Sequence, residues 1–262
     1  MFLQRFSNNS CCLCGSTERL TGEHKIKASA LRKEFGREPL VIVVMDSTEE
    51  RMKSAQSTNS KHLKFSISIC ETCNTSRTQQ ADREFDRFHQ LALEKFKAGK
   101  DPLSIFELER YSRNSEPYLN VFRYFAKLLS CHLAEVNAPI PILLARFAIG
   151  VVQNNCIWLE VKNDPTYLHV ITLTGEQCYA AHGGLVVYSD KETGDPNAFH
   201  STLTVGPLQY IFHIRLNELE KNEIKAVYPD FYQWCVSKAD EARESPIPDG
   251  TLVRLGLKCE DA

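Results

Sequence analysis

Apolar and polar positions along the chain follow a helical period in the first half and a strand-like alternation in the second. From Thr78 to about Lys97, Ala81, Phe85, Phe88, Leu91 and Phe96 recur at helical spacing, which predicts an amphipathic helix. Asp101-Pro102 breaks that pattern. Residues 103–136 then read as helical, with Val121, Phe122, Phe125, Leu128, Leu129 and Leu133 forming a broad apolar face. Ahead of these, 26–35 reads as a short basic helix ending near Gly36 and 40–45 as a β-branched strand. Residues 46–62, polar and rich in Ser, Thr, Lys and Glu, read as a loop or an irregular insertion. Phe65-Ser66-Ile67-Ser68-Ile69 alternates strictly and predicts a strand.

The period changes after Ala138-Pro139-Ile140-Pro141, which predicts a linker or turn. Strands are expected at 156–161, 167–174, 185–189, 201–205 and 209–215, separated by Asn-Asp-Pro, Gly-Gly and Asp-Pro-Asn turn chemistry. A helix at 228–242 and a last strand at 252–257 close the chain. The expected class is α+β: an N-terminal unit over 1–100, a helical connector over 101–140, and a β-rich domain over 141–262. His182-Gly183-Gly184 reads as a turn, and no histidine outside the first unit has ligand spacing.

Composition adds few constraints. A length of 262 residues, 43% hydrophobic and 24% charged, suits one large or two smaller globular units. No stretch approaches the roughly 18 apolar residues of a membrane span, and the N-terminal residues lack the apolar core of a secretory signal. The expected setting is therefore the cytoplasm, without a membrane partner. The net charge of −2 conceals an asymmetry. Residues 1–100 carry 17 Lys and Arg against 12 Asp and Glu, and the remainder 14 against 21. A basic first half suits an approaching nucleic acid.

The chemistry is concentrated in that half. Cys11-x-x-Cys14 and Cys70-x-x-Cys73 can supply four thiolates to one tetrahedral zinc, and without an export signal this pattern points to metal and not to disulfides. Cys12 is an extra thiol, set aside because Cys11/Cys14 has the x-x spacing. Cys131, Cys156, Cys178, Cys235 and Cys259 read as small buried hydrophobes. A closed four-thiolate shell leaves no position for water, so such a zinc is a staple. Glu23, His24 and Asn74, between and just after the knuckles, are not needed for it. They have the donor types of a hydrolytic site: a carboxylate and an amide oxygen for a hard cation, and an imidazole to deprotonate water. Lys25, Lys27, Arg32 and Lys33 on the presumed first helix, and Arg77 close to Asn74, are candidate phosphate contacts; a solvated helix face is the alternative for the first four. Asp82 and Asp86 are either further ligands or solvated and capping acids.

Taken together, Cys11, Cys14, Thr21, Glu23, His24, Cys70, Cys73 and Asn74 resemble the HNH, or ββα-metal, nuclease superfamily. The similarity is to the zinc-knuckle branch that includes phage recombination endonuclease VII, over roughly residues 8–90. The resemblance implies a ββα-metal nuclease domain with a structural zinc at the four cysteines. It also implies a catalytic Mg²⁺ (or Mn²⁺) at Glu23 and Asn74, His24 as general base, and DNA as substrate. Glu23 stands where relatives often have Asp, and the segment between His24 and Cys70 is long. Pairing of such a domain with an unassigned C-terminal one resembles mobile-element and anti-phage defence effectors, with the C-terminal domain binding a regulatory protein or a second copy. The alternative is a non-catalytic four-cysteine zinc protein that binds nucleic acid or a protein partner.

Overall fold

The computed structural model describes residues 1–7, 9–37, 40–46, 49–55, 57–175, 178–190 and 192–244, with side chains excepted at 40–46, 49–55, 173–174 and 242–244. The strand expected at 252–257 and Cys259 lie outside the described residues.

The first unit is a two-stranded ribbon followed by a helix. Strand β1 (Leu3–Gln4) precedes the first knuckle, and β2 (Leu20–His24) leads into helix α1 (Ala28–Phe35). Strands β3 (Leu40–Asp46) and β4 (Glu49–Ala55) form an antiparallel hairpin, Asp46 facing Glu49 and Leu40 facing Ala55. This corrects the loop expected over 46–62. A polar strand such as Glu-Glu-Arg-Met-Lys-Ser-Ala has no apolar alternation to advertise it, and here it is held by the backbone ladder to its apolar neighbour. Strand β5 (Lys64–Cys70) pairs antiparallel with β2, Leu20 opposite Cys70 and His24 opposite Lys64, with a register shift between Gly22 and His24. A π-helical turn over Cys73–Arg77 then leads to α2 (Gln79–Lys97).

Two short 3₁₀ turns, Pro102–Glu107 and Glu109–Tyr111, stand where the sequence predicted continuous helix. Asn114 at φ 67° marks the break, and the Ser115 hydroxyl accepts from the Tyr118 N–H to start α3 (Glu116–Glu135). Every residue of α3 from Leu119 to Ala134 is buried, so the connector of the sequence reading is the central helix of the molecule. The expected linker is buried too: β6 (Ile140–Pro141) pairs with β1 and leads into α4 (Ile142–Ala148).

The second half supplies one sheet. Strand β7 (Trp158–Asn163) is followed by α5 (Pro165–Thr174), then β8 (Ala180–His182), β9 (Val186–Ser189), β10 (Pro196–Val205) and β11 (Leu208–Arg215). The order is β7-β11-β10-β8, with β9 pairing the other end of the long β10. Residues 167–174, expected as a strand, are helical. Asp164 accepts from the Thr166 N–H at 2.8 Å, Pro165 opens the first turn, and Gly175 closes the helix at φ 73°. These caps outweigh the strand preference of Val170, Ile171 and Thr172. Helix α6 (Glu218–Val227), absent from the sequence reading, starts at an Asn217/Glu220 capping box and precedes α7 (Pro229–Glu244). Gly183 lies so close to β10 that a Cβ there would sit 2.6 Å from the Thr202 hydroxyl oxygen, which accounts for the glycine in that turn.

A single continuous set of buried side chains runs from Leu3 to Cys235. At its centre Phe85 of α2 stacks on Tyr124 of α3 at 4.0 Å, and Phe125 meets Tyr210 and Phe212 of β11 at 5.5 and 5.1 Å. Burying each Phe contributes roughly 1.5–3 kcal/mol, so α3 is the chief organiser of the fold. Among the described residues no helix is long and apolar enough to cross a membrane.

Candidate functional site

The two knuckles meet where the β2–β5 ribbon ends. In the first, the Cys11 N–H donates to the Ser16 carbonyl and the Gly15 N–H to the Cys11 carbonyl, with Gly15 at φ 75°. In the second, the Cys73 N–H points at Cys70 Sγ, 3.4 Å away. The Sγ atoms of Cys11, Cys14, Cys70 and Cys73 all lie within 4.8 Å of one another, and Cys14 and Cys70 are 3.6 Å apart. Zn–S bonds of about 2.3 Å in a tetrahedron place sulfurs about 3.8 Å apart, so the donor set fits a structural metal such as zinc. A hydrogen bond from Cys73 pulls the Cys11 thiol down to about 5, while Cys73, the donor, is pushed up. Burial raises Cys14. Cys12 is outside the cluster, its Sγ 3.9 Å from that of Cys131 in the core. Cys131 and Cys235 are buried as expected, Cys156 is half-buried, and Cys178 is exposed, its thiol on the Glu34 carbonyl.

Glu23 sits at the register shift of β2 and is 8% exposed. Its Oε1 lies 2.9 Å from Nζ of Lys127, a residue of α3 that is 1% exposed. The same ammonium lies 2.6 Å from Asp82 Oδ1 and 5.4 Å above the Tyr124 ring. Burial pushes the Glu23 carboxyl up, opposed by Lys127. Burial also works against the charge on Lys127, but Asp82 and Glu23 outweigh it and hold the ammonium protonated.

His24 is half-buried. Burial, then Lys64, lowers its pKa, against a hydrogen bond with the Thr58 backbone. Its Nε2 is buried and has no hydrogen-bond partner among the described residues. Asn74, in the π-helical turn, donates from its amide nitrogen to Thr21 Oγ1 at 3.0 Å, and Thr21 donates to the Ile69 carbonyl at 3.1 Å. Asn74 thereby ties the turn to the ribbon.

The expected phosphate contacts all have internal partners. Lys25 pairs with Glu135 at 2.8 Å and lies over Phe65. Lys27 pairs with Asp86 at 2.6 Å and also donates to the Asp82 carbonyl. Arg32 reaches the Thr58 hydroxyl at 3.5 Å, and Lys33 donates to Gln90. Arg77 points at Cys73 Sγ, 3.9 Å away. Arg32, Lys33 and Arg77 remain exposed.

The four thiols are thus brought together, whereas Glu23, the carboxylate expected for Mg²⁺, is committed to Lys127. Glu23 already has a buried counter-cation, so the arrangement does not fit a divalent ion at its carboxylate; Asn74 uses only its amide nitrogen towards Thr21. Lys127 escaped the sequence reading. The helical period hid it, because Lys127 stands opposite the apolar face of Val121, Phe122, Phe125, Leu128 and Leu129; the available signal was one Lys inside the otherwise apolar run Tyr124-Phe125-Ala126-Lys127-Leu128-Leu129. No protein-family model, curated protein or solved structure matches the chain.

Proposed function

We propose that this chain is a phosphodiesterase of the HNH type acting on DNA, with His24 as the base that takes a proton from the attacking water. The observation that carries this reading is the state of His24. Burial and Lys64 press its imidazole towards the neutral form, the Thr58 backbone holds it by a hydrogen bond, and Nε2 has no partner among the described residues. A neutral ring steered through one bond, with a lone pair unused on the other nitrogen, is what general-base chemistry requires. The order of ribbon, thiol cluster and helix around it, from β2 through β5 to α2, supports the same reading. A Mg²⁺ at Glu23 and Asn74, as the resemblance implies, would help neutralise charge on the phosphate, but it has no place here while Lys127 holds Glu23.

The burial of Nε2 favours conditional activity. A base whose lone pair is enclosed is slow until the covering groups move, so basal nicking is weak and rises with a trigger, which suits a defence or mobile-element effector answering to a partner. The competing reading, a four-cysteine zinc protein that only binds, rests on the same cluster and gives His24 no task.

The deciding experiment is cleavage of supercoiled plasmid by wild type and His24→Ala, with zinc content matched. The expected result is nicking that falls roughly 100-fold or more in the variant. Equal nicking by both proteins removes His24 from the reaction, and with it this reading.

A further inference from the structure

We propose that the cation of this site belongs to the chain itself: Lys127 Nζ takes the place a divalent metal would hold beside Glu23, and Glu23 binds no such ion. The proposal deepens the reading of Glu23–His24 as the reactive segment, yet it can be tested without any cleavage.

Three elements distant in sequence converge on one nitrogen. Glu23 comes from β2, Asp82 from the first turn of α2, and Lys127 from the middle of α3. Lys127 is flanked by Tyr124, Phe125, Leu128 and Leu129, all buried. An ammonium there is tolerated only with counter-charges in contact, and the two carboxylates provide them at 2.9 and 2.6 Å. A metal added at Glu23 would meet this ammonium at near-contact distance. Lys27, whose Nζ lies on the Asp82 backbone carbonyl and pairs with Asp86, adds a second positive charge that Glu23 feels. Two ammonium groups therefore already serve the acids Glu23, Asp82 and Asp86. Like-charge repulsion and the loss of Glu23 as partner for a buried Lys both oppose a further dication.

Lys127 is accordingly a positioning residue. It fixes the Glu23 carboxylate at the register shift that precedes His24, and it pins the ribbon to both long helices at one point.

The test is Mn²⁺ titration of the zinc-loaded full chain, with free Mn²⁺ followed by electron paramagnetic resonance. Wild type and Glu23→Gln are expected to give the same binding curve. Lys127→Met is expected to gain a Mn²⁺ site, tighter than any in wild type by roughly 10- to 100-fold, that is absent from Lys127→Met/Glu23→Gln. A Mn²⁺ site in wild type that Glu23→Gln abolishes overturns the proposal, and so does a folded Lys127→Met protein that gains none. Should Lys127→Met not fold, the wild-type and Glu23→Gln pair decides alone. Failure of plasmid cleavage leaves each of these outcomes unchanged.

Discussion

His132, in the last turn of α3, shows how a buried polar residue couples this fold to pH. Its Nε2 lies 3.1 Å from the Ser201 hydroxyl of β10, and its ring meets the edge of Phe65 at 4.8 Å. Burial, with His182 and Lys25 adding to it, pushes its pKa down to about 3. The unfolded chain regains an ordinary value near 6.5 and takes up a proton that the folded chain refuses. Its contribution to stability is therefore complete above about pH 6.5 and is lost as pH falls towards 3. Between pH 7.5 and 5.5 wild type should lose about 1 kcal/mol more than His132→Gln, measured by urea unfolding with zinc retained. An equal loss in both proteins would show that His132 is not the residue responsible. At this scale the sequence was legible where a residue's type and spacing state its chemistry. Four cysteines at x-x spacing announce the thiol cluster, because thiolates are scarce and their spacing is tight. Lys127 was not legible in the same way, since its meaning depends on Glu23 and Asp82, which lie 104 and 45 positions away in the chain.

At the scale of elements, Asp164 does two jobs. One carboxylate oxygen caps α5 through the Thr166 N–H at 2.8 Å, and the other accepts from the buried Thr204 hydroxyl of β10 at 2.6 Å. Asp164→Ala removes the cap and leaves Thr204 unpaired, for a cost of about 2–4 kcal/mol. Asp164→Asn keeps an acceptor for the cap and should recover about half of that; urea midpoints of the three proteins separate the two jobs. The same residue explains one misreading. Side-chain preference pointed to a strand over 167–174, but Asp164, Pro165 and Gly175 form a complete set of helix signals, and local capping prevailed over propensity. Strand β11 was legible for the opposite reason. Leu208, Tyr210, Phe212 and Ile214 alternate because one face of the sheet packs on α3 and the other does not. Strand β4 and helix α6 escaped notice because a ladder and a capping box hold them, with little apolar period to display.

Across the whole molecule, the thiol cluster and the aromatic core stabilise different parts by different means. The cluster ties the segments 11–14 and 70–73 together through their thiols, while α3 and β11 rely on packed rings. A structural metal adds its binding energy chiefly to the segments that carry its ligands. Its removal should therefore loosen the knuckles and the β2–β5 ribbon before the sheet. Chelation at pH 7.5, followed by amide hydrogen exchange, is expected to release protection at 10–24 and 64–78 first. The β10–β11 ladder and α3 should retain theirs. Mild acid should act in the same direction, since Cys14 and Cys73, whose pKa values are raised, must lose their protons to bind metal. Because Glu23 and His24 lie at the end of that ribbon, they should lose order together with the metal. Lys127 would then remain in a packed helix with Asp82 as its remaining carboxylate partner among the described residues. Simultaneous loss of protection in the ribbon and in α3 would instead mean that the metal holds the whole core, with Lys127 the route by which its loss is transmitted.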